Sequence, residues 1–195
     1  MIWALILAAG ESKRMGKTKL LLRFGEKTMV ETVIEKALHS KAEKVLVVLG
    51  SDWEKIEERI KNLPVEIAVN HRFHRGMLSS VQLGFQIIPE DAQAALILLG
   101  DQPFIPVSII NRIIDTFKTS KKGIVIPVYN KGRGHPVLIE MKYREEVNQL
   151  SPNVGLRGLV YSHPEDTLEV AVDSPGILKD IDTLQDYERA LRQRR

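Results

Sequence analysis

The chain has 195 residues, with 28 Lys and Arg against 25 Asp and Glu, for a formal net charge of +3. That length suits one domain, residues 1–195, which would bury about 70% of its unfolded surface and need no staples. Cysteine is absent, which excludes disulfides, thiolate zinc sites, iron–sulfur clusters and cysteine nucleophiles and suits a cytoplasmic protein.

Residues 1–10 are apolar, and Lys13 and Arg14 follow them with no basic residue before. A secretory signal has the reverse polarity, and a bilayer span needs about 20 residues, so no membrane insertion is expected. The segment reads instead as a buried strand over residues 2–8. Further unbroken apolar runs at 45–49, 65–69, 94–99 and 124–128 lack polar alternation, as strands buried on both faces do. Helical stripes lie between them. One is Val30, Val33, Ile34, Ala37 and Leu38; the next is Val81, Gly84, Phe85 and Ile88. A third, Ile109, Ile110, Ile113, Ile114 and Phe117, is opened by Pro106 and Ser108. Residues 137–139 add a strand and 182–191 a closing helix. Strands alternating with helices predict an α/β fold, a doubly wound, mostly parallel sheet. Arg192, Arg194 and Arg195 supply all the excess positive charge, so no nucleic-acid groove is expected.

Ligands of such sheets bind beyond the carboxyl ends of the strands, here after Ala8, Leu49, Val69 and Leu99. The first of these places is a basic, glycine-containing loop running Leu7-Ala8-Ala9-Gly10-Glu11-Ser12-Lys13-Arg14-Met15-Gly16-Lys17-Thr18-Lys19. Small residues let the backbone approach a ligand, and exposed N–H groups favour phosphate. A solvated basic loop would have the same composition. A P-loop, G-x-x-x-x-G-K-S/T, needs four residues between its glycines, and Gly10 and Gly16 are separated by five. A nucleophile elbow, G-x-S-x-G, fails because Arg14 stands at its second glycine.

Read without a gap, L-A-A-G-E-S-K-R-M-G-K-T-K-L-L resembles the L-A-A-G-x-S-x-R-M-G-x-x-K-L-L signature of nucleotidyltransferases related to molybdenum cofactor cytidylyltransferase. The resemblance implies a Rossmann-like fold of the nucleotide-diphospho-sugar transferase type. It also implies a nucleotide held against Leu7, Ala8, Ala9 and Gly10, with Arg14 and Lys19 on its phosphates. Gly100-Asp101-Gln102-Pro103 is similar to the family's G-D-Q/M-P, which assigns Asp101 to nucleotide and metal; without it, an acid capping the helix after Pro106 is the plainer reading. Asp180-Ile181-Asp182-Thr183 is similar to D-I-D-T, and alternation sets both acids on one side of an extended segment. Asp182 is taken as the second metal ligand, against a cap for the last helix. Between residues 70 and 80, the stretch from Gly76 to Ser80 resembles the segment that reads base and ribose, giving Gly76 and Ser79. Here too, Ser79 or Ser80 could cap the following helix. His71 and His74 read as polar loop residues, since no other ligand-rich segment supports a metal there.

Arg133-Gly134-His135-Pro136-Val137 is similar to R-G-H-P-V on the acceptor side, which assigns His135 and Pro136. Arg157 joins them through a weaker match to G-D-x-G-A-R, in which Asn153 replaces Asp and Leu156 replaces Ala. The implied reaction is transfer of CMP from CTP to the terminal phosphate of molybdopterin, with pyrophosphate leaving and Mg²⁺ as cofactor. Transient contact with a recipient molybdoenzyme is implied as well. The acceptor phosphate is ionised near neutral pH, so no general base is needed, and positioning and charge neutralisation carry the rate. Other readings are a guanylyl- or cytidylyltransferase for a sugar or alcohol phosphate, a small P-loop-like NTPase or kinase, and a non-catalytic nucleotide-binding chaperone.

Overall fold

Strand β1 (Ile2–Ala8) is buried along its whole length, and its alternating side chains feed two separate cores. Ile2, Ala4, Ile6 and Ala8 point into one, and Trp3, Leu5 and Leu7 into the other, as the two-residue strand period requires. The computed structural model describes residues 1–12, 15 and 18–193. After β1 come β2 (Arg23–Phe24), β3 (Lys27–Thr28), β4 (Lys44–Leu49), β5 (Glu66–Val69), β6 (Ala94–Leu99), β7 (Ile124–Tyr129), β8 (Gly132–Arg133), β9 (Val137–Glu140) and β10 (Thr167–Ala171). The helices are α1 (Met29–Leu38), α2 (Trp53–Ile60), α3 (Met77–Ile87), α4 (Val107–Thr119), α5 (Arg144–Gln149), α6 (Arg157–Ser162) and α7 (Leu184–Gln193).

The main sheet runs β10-β7-β9-β6-β1-β4-β5, with β8 beside β7; β2 and β3 form a separate hairpin. β1 pairs parallel with β4 and β6, while β9 runs antiparallel between β6 and β7. Helices α1, α2 and α4 pack on one face through Val30, Val33, Ile34, Ile56, Ile60, Ile109 and Ile113. On the other face α3, α5 and α6 bring Val81, Phe85, Val147 and Leu159. The doubly wound, mostly parallel sheet is therefore as expected. Among the described residues no helix is long and apolar enough to cross a membrane.

The expected strands start or end within a residue of those observed. The elements without a sequence signal have little apolar surface: α2 buries only Ile56 and Ile60, and β10 buries only Val170. The closing helix begins at Leu184 rather than 182. Thr183 and Asp186 make a reciprocal cap, in which the Asp186 N–H donates to Thr183 Oγ1 (3.1 Å) and the Thr183 N–H to Asp186 Oδ2 (3.0 Å). Before that helix, residues 174–183 cross the ends of the strands as a strap. The Ile181 N–H donates to the Asp101 carbonyl and the His135 N–H to the Ile177 carbonyl, each at 3.1 Å. Gly134 permits this crossing, because a Cβ there would stand 2.3 Å from the Ile177 carbonyl oxygen.

Asp166, just before β10, accepts from Tyr143 Oη at 2.6 Å and from Lys142 Nζ at 2.8 Å. Burial opposes its charge, but those two donors and the Gly123 N–H hold its carboxyl down at about 2 against a usual 3.8. A depressed carboxyl stabilises the fold above its unfolded pKa and loses that contribution as pH falls through the folded value. Asp166→Asn should therefore be less stable than the parent at pH 6, and the gap should close between about pH 4 and 2. Chemical denaturation across that range checks this; a gap independent of pH would contradict it.

Candidate active site

The loop after β1, the loop between β5 and α3, and the end of β6 enclose a cavity of about 300 Å³. Leu7, Ala9, Gly10 and Glu11 supply one wall, Phe73, His74, Gly76, Met77 and Ser80 another, and Leu99 and Asp101 the floor. Ala8 alternates away into the opposite core. Gly50, after β4, supports the first wall through its lack of a side chain. A Cβ there would lie 2.7 Å from Ala9 Cβ, from the Ala9 carbonyl oxygen and from Phe73 Cβ. At the mouth of α3, Gly76 takes φ 95° as the N-cap and has no side chain to cap the helix; the Ser79 N–H turns back to the Gly76 carbonyl at 3.1 Å. Free N–H groups at a helix N-terminus favour an anion.

Buried Asn70 fastens the second wall. Its Nδ2 donates to Ser79 Oγ and Ser80 Oγ, each at 2.9 Å, and its Oδ1 accepts from the Arg72 N–H at 2.9 Å. Ser79 Oγ donates onward to the Gly76 carbonyl at 2.8 Å. Ser79 thus braces the loop, and Ser80 rather than Ser79 lines the cavity. Neither serine is the N-cap of α3. Asn70 and Phe73 carry roles that the sequence motifs do not assign, and their only sequence signal is their place in the loop after a strand. Ser80 belongs to the Gly76–Ser80 stretch singled out from the sequence, where the motif match gives Ser79 in its place.

Behind the cavity floor stands an ion triad. Lys19 Nζ lies 2.5 Å from Asp101 Oδ2 and 2.8 Å from Asp182 Oδ1. The three residues come from the end of the β1 loop, the end of β6 and the strap, and the Lys19 N–H is held by Ser12 Oγ at 3.1 Å. Asp180 stands beside them, accepting from Gln102 Nε2 at 2.5 Å. Burial opposes the Lys19 charge, yet the two carboxylates more than offset it and hold the ammonium above the usual lysine range. Burial pushes the Asp101 carboxyl up; Lys19 pulls against that, and Asp180 and Asp182 add to the push. Neither acid is a helix cap: Pro106 is the N-cap of α4, and Thr183 and Asp186 cap α7.

Crowded carboxylates of this kind are relieved by added positive charge. Among the described residues no group of three or more His, Cys, Asp or Glu is arranged as a cage for a metal. Two convergent carboxylates suit a hard cation such as Mg²⁺, which takes one or two from the protein and the rest from phosphates and water.

A second cleft, about 480 Å³, adjoins the first and shares Met77 with it. Ile126, Val137, Ile139, Val154, Leu156 and Val160 give it apolar walls, and Arg133, His135 and Arg157 are its basic members. Burial pulls the His135 imidazole down to about 4, with the Asp101 charge acting in the opposite direction. It is therefore neutral near pH 7. Pro136 is buried and does not line the cleft, so of the expected acceptor residues His135 and Arg157 face it. Arg14 lies outside the described residues.

Residues 4–168 match the MobA-like NTP transferase domain. The chain belongs to this family. It is 29% identical to nicotine blue oxidoreductase of Paenarthrobacter nicotinovorans, over 97% of this chain and 96% of that one. It is 28% identical to molybdenum cofactor cytidylyltransferase of Escherichia coli, over 94% and 92%. The crystal structure of Rv0371c from Mycobacterium tuberculosis superposes with a TM-score of 0.88 at 28% identity, covering 98% of this chain and 97% of that one. A complex of Rv0371c with manganese gives 0.84 at 26%, covering 98% of each. Asp101 falls inside the MobA-like segment and Asp182 outside it, so the strap adds an acid from beyond the matched residues.

Gly50→Ala should leave a folded protein with a displaced Ala9 loop and Phe73 wall. Misplacement by ~1 Å can cost on the order of 100-fold in an aligned site, so nucleoside triphosphate binding, read by calorimetry with each common triphosphate, should weaken by about tenfold or more. Unchanged affinity for the triphosphate that binds would remove this cavity from nucleotide binding.

Proposed function

We propose that this MobA-like protein transfers CMP from CTP to the terminal phosphate of molybdopterin and releases pyrophosphate. The observation that carries the reading is the convergence of Asp101 and Asp182 on one cation beside a cavity that opens into an acceptor-sized cleft. Similarity to molybdenum cofactor cytidylyltransferase supports the choice of substrates, and the manganese complex of Rv0371c supports a divalent cation.

In this reading Leu7, Ala9 and Gly10 approach the nucleotide with backbone, and the N-terminus of α3 at Gly76 offers N–H groups to it. Arg14 and Lys19 bind its phosphates and stabilise the charge that builds on the leaving pyrophosphate. Asp101 and Asp182 hold Mg²⁺, which supplies charge neutralisation at the reacting phosphates. The apolar cleft walls take a flat heterocycle, Arg157 and Arg133 its phosphate, and neutral His135 a hydrogen bond rather than a second charge. An acceptor phosphate attacks in its ionised form, so the protein's contribution is alignment and electrostatics. Base choice rests on Ala9, which lines the cavity and whose methyl group takes up space that a larger base would need.

The test is pyrophosphate release from CTP or GTP with Mg²⁺ and a panel of phosphate-bearing acceptors, molybdopterin among them. Similarity to a protein named an oxidoreductase makes a direct readout of phosphate chemistry necessary, because ligand binding alone would not discriminate. We expect turnover with molybdopterin and a CTP preference of about 10–200-fold, the range that shape discrimination supplies. Asp101→Asn should fold normally and lose at least about 100-fold in kcat, since several kcal/mol of charge stabilisation goes with the carboxylate. Equal use of CTP and GTP would overturn the cytidylyl assignment, and full activity of Asp101→Asn the metal role.

A further inference from the structure

The proposed reaction asks Lys19 to bind phosphates, whereas its ammonium sits on both carboxylates that the same reaction gives to Mg²⁺. The contacts are short, at 2.5 Å to Asp101 Oδ2 and 2.8 Å to Asp182 Oδ1, and only 11% of the Lys19 side chain is exposed. Each oxygen so held is one that a metal ion would need, and two like-charged cations cannot share it without strong repulsion. We propose that Lys19 is the resident counter-ion of Asp101 and Asp182 in the metal-free protein, and that a divalent cation gains these carboxylates by displacing the ammonium.

The arrangement supports such an exchange. The Lys19 backbone is fixed by Ser12 Oγ, so the flexible stem alone has to move. Asp101 also lines the cavity floor, which sets the displaced ammonium beside the space given to the triphosphate. Without the ammonium, the repulsion among Asp101, Asp180 and Asp182 would be stronger, and like charges held together would push the strap from the strand ends. The ammonium holds the site together before the metal binds, and the divalent cation does so afterwards. A phosphate-rich ligand that captures the released ammonium favours metal binding, and the metal favours the ligand in turn, because such coupling is reciprocal. This inference rests on the metal assignment of the preceding subsection.

Two measurements on the full chain test it, and Mn²⁺ alone is the probe. In the first, wild-type Lys19 is acylated with and without saturating Mn²⁺, and its modification is read by mass spectrometry. Lys19 should be protected in chelator and become several-fold more reactive with the metal. In the second, Mn²⁺ is titrated calorimetrically into wild type and Lys19→Met without nucleotide. Removal of the competing ammonium should tighten Mn²⁺ binding by about tenfold or more. Mn²⁺ saturation with Lys19 still protected would overturn the displacement and leave the metal site standing. Equal or weaker Mn²⁺ binding by a folded Lys19→Met would also overturn it. Failure of both proteins to bind Mn²⁺ would overturn the metal assignment and this inference together. Should Lys19→Met not fold, the wild-type acylation alone decides.

Discussion

One ammonium group organises this protein. Lys19 is separated from Asp101 by 82 positions and from Asp182 by 163, and the three meet at the carboxyl edge of the sheet. A charge removed from water to this degree persists only with partners, and breaking a buried pair costs more than never forming it. The triad therefore fixes where the strap lies. The strap in turn backs the turn at His135, through the His135 N–H on the Ile177 carbonyl and the missing Cβ of Gly134. A single ionic contact thus joins the cavity floor, the second carboxylate and one edge of the cleft.

The fold explains why these pieces can meet. β1 lies centrally with β4 and β6 parallel on either side, so the loops after β1, β4 and β6 all emerge on one edge. That edge is where open α/β sheets bind ligands. The antiparallel β9, between β6 and β7, leads the chain back from the turn at His135 and sets the second cleft beside the first. Met77 at the start of α3 is common to both, so two ligands bound there would be neighbours.

Much of this was legible in the sequence. Apolar runs marked the strands because strands buried on both faces have no polar alternation. The loop motif marks Leu7, Ala9 and Gly10, and G-D-Q-P marks Asp101, all of which line the cavity, whereas Ala8 from the same loop motif turns into the core. The failures have physical causes. Ser79 and Ser80 are adjacent and chemically equal, and only the rotation of α3 decides which one lines the cavity. Alternation put Asp180 and Asp182 on the same side, but it could not say that Gln102 would engage the first and Lys19 the second. Pro136 was grouped with His135 by motif, yet the turn buries one ring and presents the other. The attachment of Lys19 to two acids is a long-range contact that no local pattern encodes.

The Lys19–Asp182 contact joins the strap to the sheet, and a double-mutant cycle measures that contact most directly. Wild type, Lys19→Met, Asp182→Asn and the double variant would be unfolded with denaturant in the presence of a chelator. Residues in direct contact show coupling energies of ~0.5–3 kcal/mol, and distant ones add. We predict coupling of at least ~1 kcal/mol, with the double variant losing less stability than the two single losses combined. Additivity within ~0.3 kcal/mol would mean that the ammonium does not hold the strap, and the account would fail at its base.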